Sequence, residues 1–136
     1  MTNTSLFENF DYVHTYTRAQ AFADGVLIDV SGLAKEAGFT YPVAVTFAVH
    51  DKYIDWNDED NQRQTYQDIE GRLWDILHMM RMQKRRIDHN GLFEFYCVPR
   101  NEKSRRKMPV KVVLKALVHG GDDGEPVITV MLPEED

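Results

Sequence analysis

The chain has 136 residues, of which 43% are hydrophobic and 28% charged, and its formal net charge is -6. This length and balance fit one compact domain over residues 1–136 with a substantial core, and exclude a disordered or fibrous chain. No apolar run approaches the roughly 20 residues that cross a bilayer, polar residues follow Met1 where a secretory leader would be apolar, and the lone Cys97 cannot form an internal disulfide. A cytoplasmic protein without membrane contact is the expectation.

Residues 1–16 show no sustained periodicity and read as an irregular arm that packs through Leu6, Phe7, Phe10 and Tyr12. Thr17-Arg18-Ala19-Gln20 has the spacing of a capping box, which opens a short helix that Gly25 can stop. Val26–Val30 is either a short buried strand or a tight connection. Ser31 can cap a second short helix that turns Leu33, Ala34 and Ala37 inward and ends at Gly38.

Tyr41–Ile54 carries two periods at once. Val43, Val45, Phe47 and Val49 alternate like a strand, whereas Val45, Val49, Tyr53 and Trp56 follow helical spacing; Pro42 and the Lys52-Tyr53 extension favour the helix. Asp55–Gln62 reads as an acidic connection. Thr65–Arg86 is the longest helix, with an acidic capping box at Thr65 and Asp68 and an apolar stripe of Tyr66, Ile69, Leu73, Ile76, Leu77 and Met80.

After the Asn90-Gly91 turn the period changes to that of strands: Leu92–Val98, then Val110 to about Val118, then Val127–Leu132. Pro99–Pro109 is a basic connection between the first two, and Gly120-Gly121-Asp122-Asp123-Gly124 turns the last two into a hairpin. The expected fold is therefore α+β: short N-terminal helices and one long amphipathic helix packed on a three-stranded, mainly antiparallel C-terminal sheet.

Charge is partitioned sharply along this order. Eleven of the 16 Lys and Arg fall between Arg81 and Lys115, where only Asp88, Glu94 and Glu102 oppose them, so this stretch carries +8 against -8 in residues 1–80 and -6 in residues 116–136. A local field of that kind attracts partners that the net charge would repel. The candidate partner- or anion-binding residues are Arg81, Lys84, Arg85 and Arg86 at the helix end, and Arg100, Lys103, Arg105, Arg106 and Lys107 in the connection. The helix-end group also suits the negative end of the helix dipole, while the 100–107 group lacks an equally specific structural role.

Tyr16–Ala21, Ala23–Val30, Ala37–Pro42, Arg72-Leu73-Trp74-Asp75, Val98-Pro99-Arg100, Leu114-Lys115-Ala116 and Gly124–Pro133 together resemble an uncharacterised bacterial protein family often carried on plasmids and integrative elements. The resemblance covers most of the chain and implies no established activity. At Thr46-Phe47-Ala48-Val49-His50 the family pattern leads one to expect Thr-Arg-Ala-Val-Trp, so Phe47 and His50 stand where an Arg and a Trp would be.

Metal and enzyme readings have thin support. The five histidines are scattered, Asp60 stands where a calcium loop needs glycine, and Tyr66 stands where it needs glutamate. Cys97 lies in an apolar tract, and Asp122-Asp123 lies in a Gly-rich turn that already accounts for the pair. No cofactor is implied. The leading expectation is a non-enzymatic mobile-element accessory protein that binds an acidic protein or a second copy of itself. Nucleic-acid or polyphosphate binding through the basic stretch is the alternative, and a small hydrolase-like enzyme is a third reading.

Overall fold

The computed structural model describes residues 16–100 and 108–135. Helices α1 (Arg18–Ala23) and α2 (Ser31–Glu36) flank strand β1 (Leu27–Asp29), and β2 (Val43–Thr46) runs directly into α3 (Phe47–Val49) and a π-helical stretch, His50–Ile54. Then come α4 (Asp58–Arg63), α5 (Ile69–Met82), α6 (Lys84–Asn90), β3 (Leu92–Cys97), β4 (Val110–Gly120) and β5 (Pro126–Met131).

The strands form one five-stranded sheet in the order β1-β2-β5-β4-β3, in which β2 and β5 are parallel and the other neighbours antiparallel. This overturns the three-stranded, mainly antiparallel sheet expected from the sequence. The two extra strands are β1, too short at three residues to show a period, and β2, hidden in the ambiguous Tyr41–Ile54 tract. Both readings of that tract describe part of it. Val43, Ala44 and Val45 are fully buried on both faces of the sheet, as suits a strand with a parallel neighbour, and Thr46 then ends the strand and caps the helix by accepting the Val49 amide.

The capping box at Thr17 forms with Gln20, and Gly25 follows the end of α1 at φ +74°. Ser31 differs from expectation: its hydroxyl exchanges hydrogen bonds with the Val43 main chain and so ties α2 to β2 instead of capping the helix. The acidic connection contains α4, opened by a capping box between Asn57 and Asp60. The long helix starts later than Thr65, because Asp68 caps it by accepting the Gly71 amide at 2.7 Å. Tyr66 therefore lies outside the helix and is exposed.

Leu73, Ile76, Leu77 and Met80 of α5 are buried in one core with Val45, Phe93, Phe95, Leu114 and Val130. Each such side chain contributes about 1.5–3 kcal/mol by leaving water, before the loss of chain entropy is subtracted. The helix breaks at Gln83, whose side chain serves the sheet: Nε2 donates to the Glu94 carbonyl at 2.6 Å and Oε1 accepts the Glu94 amide at 2.8 Å. One residue thus bends the helix and covers part of the outer edge of β3.

Candidate functional site

The basic residues singled out by sequence have different surroundings. Arg100 is held inside the chain, its Nη1 3.0 Å from Asp55 and its Nε 2.8 Å from Asp60. Arg86 pairs with Glu94 at 2.9 Å, Lys84 pairs with Asp88 at 2.8 Å, and Arg81 donates to the Ala37 carbonyl at 2.6 Å. Arg85 is exposed and makes no ion pair among the described residues. Lys103, Arg105, Arg106 and Lys107 lie outside the described residues.

Arg100 belongs to a polar cluster that the charge pattern did not reveal. Asp60 is 1% exposed, yet it accepts the Asn57 amide and pairs with Arg63 and Arg100. Burial pushes its carboxyl up, and those donors outweigh burial, so its pKa lies below the ordinary value. Beside it Arg72 is 3% exposed, donates to the Ile54 and Val98 carbonyls and Gln67, and stacks 4.4 Å from the centre of the Trp56 ring. The sequence signal was present: Arg72 adjoins Leu73 and lies one turn before Ile76 on the inward side of α5. It was obscured because arginine is ordinarily a surface residue.

The helix-end group borders a groove of about 330 Å³ between the connection that follows α2, the helix break and the sheet. Phe39, Tyr41, Met80, Ile87, Val118 and Ile128 give it apolar walls, and Arg81, Lys84 and Asp88 stand at its polar side. Gly38 lets the chain pass here at φ +103°, with the Arg81 guanidinium where a Cβ would sit. Tyr41 is 43% and Val118 58% exposed, so apolar surface continues outward from the groove. Arg100 is not among its lining residues; the groove gathers only the Arg81 and Lys84 part of the predicted set.

A second cleft of about 540 Å³ opens between α1 and the sheet. Its centre is Thr129, 6% exposed, whose Oγ1 accepts from Arg18 Nη1 at 2.7 Å and lies 2.7 Å from His119 Nε2. His119 Nδ1 is 3.0 Å from the Gly120 carbonyl, which can only accept, so Nδ1 is the donor in this contact. Asp122 accepts the Arg18 and Ala19 amides, and these bonds hold its carboxyl below the ordinary range. The whole set fastens α1 to the hairpin, which gives Asp122 a positioning role in the fold.

Cys97 is buried, and burial pushes its thiol up to about 11, the opposite of an activated nucleophile. No group of three metal-ligating side chains is assembled among the described residues. Nor is any helix there long and apolar enough to cross a membrane. What the groove offers chemically is an apolar recess with cations at its side.

Over residues 1–136 the chain matches the model of a family described as a family of unknown function (DUF6573). No curated protein and no solved structure matches the chain.

Proposed function

The chain belongs to this family of unknown function, DUF6573, and we propose that it acts as a non-enzymatic protein-interaction domain receiving an acidic segment of a protein partner. In this reading the partner inserts an apolar side chain between Tyr41, Met80 and Val118, and its carboxylates meet Arg81 and Lys84. The single observation that carries it is the groove itself, where exposed apolar surface adjoins the helix-end cations. Apolar anchors ringed by polar groups are how compact interfaces obtain both affinity and orientation. The proposal includes the setting that the sequence resemblance implies, an accessory protein of plasmids and integrative elements, together with the cytoplasmic location expected from the composition.

Selection from a displayed peptide library tests it. Enriched peptides should combine an aromatic or aliphatic residue with neighbouring acids, and their binding should fall by roughly tenfold or more in Lys84→Glu and in Val118→Asp. Peptides that bind both variants as well as the parent chain would contradict the groove as the contact. Binding of nucleic acid that weakens steeply with salt and survives both variants would favour the alternative through residues 100–107 instead.

A further inference from the structure

The outer face of α5 carries a second surface that shares only Arg81 with the groove. At 3.6 residues per turn, Glu70, Trp74, His78 and Arg81 fall within about 80° of arc, all four exposed and alongside the stripe of buried Leu73, Ile76, Leu77 and Met80, and Arg85 follows one turn later beyond the Gln83 break. Charge changes sign along the exposed arc. Its beginning holds Glu70, with Asp75 about 60° to one side of the arc, beside Glu36 of α2 and the capping Asp68, and its end holds Arg81 and Arg85. Between them lie Trp74, 40% exposed, and Met82, 69% exposed, each four residues from His78.

The acidic end is also concave. Leu33, Glu36, Glu70, Trp74 and Asp75 line an open cleft of about 630 Å³. Glu70 and Arg85, at opposite ends of the exposed arc, make no ion pair among the described residues. Burial pushes the Asp75 carboxyl above its ordinary value even with Arg72 and His78 nearby, so an added cation at this end would relieve it.

We propose that a second copy of this chain docks antiparallel along this face, related by a two-fold axis near His78. The pattern is self-complementary under that operation. The acids of each copy meet Arg81 and Arg85 of the other, and each Trp74 meets the other copy's Met82, a favourable sulfur–aromatic contact. A parallel arrangement would set like charges side by side at both ends. One helix face with its α2 flank is small for a permanent dimer, so association in the micromolar range is expected.

Sedimentation velocity over a concentration series reads the prediction, using exposed positions that leave the core untouched. Glu70→Arg and Arg85→Glu should each weaken self-association by roughly tenfold or more, because each places like charges together twice in the dimer. Mixing the two variants in equal amounts should restore it, since one copy then presents arginine at both positions and the other glutamate at both. Trp74→Ser should weaken association without rescue by either partner. A parent chain that remains monomeric throughout the series would overturn the proposal, as would a dimer indifferent to both charge reversals or a mixture that fails to recover. Lys84→Glu and Val118→Asp should leave the dimer intact, which separates this outcome from failure of the groove.

Discussion

Arg100 and Lys84 both belong to the basic stretch of the sequence, and the structure puts them to different uses. Around Arg100 two carboxylates converge, one of them almost fully buried, and Arg72 continues the polar cluster under Trp56. Around Lys84 there is one carboxylate, Asp88, with both side chains largely in solvent. Identical formal charges therefore contribute to the fold in one region and to the surface in the other. The difference lies in desolvation: a buried ion must be answered by its neighbours, whereas an exposed one is answered by water until a partner displaces it.

The largest expected effect breaks the buried side of this comparison. Arg72→Ala should cost about 3–5 kcal/mol in urea unfolding, since it leaves the Ile54 and Val98 carbonyls without their donor and opens a void under Trp56. Next comes Gln83→Ala, which exposes both main-chain groups of Glu94 on the β3 edge and should cost about 1–2 kcal/mol. An unchanged midpoint there would mean that water replaces the side chain without loss.

Acid titration sharpens the same contrast. Asp60 has a folded pKa below its unfolded value, so its contribution is complete above the ordinary carboxylate range and disappears as pH falls through the folded value. Asp75, raised by burial, acts in the opposite sense and becomes less destabilising as pH falls through its own value. Stability measured against pH should thus fall less steeply toward acid in Asp60→Asn, and more steeply in Asp75→Asn, than in the parent. The smallest effect concerns Cys97: with its thiol near 11, alkylation at neutral pH should track unfolding of the chain. Rapid modification of the folded protein would contradict the buried environment.

The parts of this fold that were legible are those where one force dominates locally. The α5 stripe of Leu73, Ile76, Leu77 and Met80 follows from burial at helical period, and the turn at Gly91 from a left-handed φ of +79°. The sheet was misread because β1 and β2 owe their existence to tertiary pairing: Ile28 pairs with Val45, and Val45 with Val130, far along the chain. Three or four residues carry too little period to announce such partners. The site was half legible for a related reason. Sequence marks where cations are dense, and so found Arg81 and Lys84, but it does not show which carboxylates will fold against them, and so it placed Arg100 in the same set. Arg72 is a single cation among apolar neighbours, so density of charge does not mark it.

Equilibrium urea unfolding of Arg100→Gln beside Lys84→Gln tests the division of the basic stretch most directly. The account predicts a loss of about 2 kcal/mol for Arg100→Gln, which strips the buried Asp60 of a charged partner, and no measurable change for Lys84→Gln. Equal midpoints for the two variants would contradict it, because the two charges would then be doing the same thing.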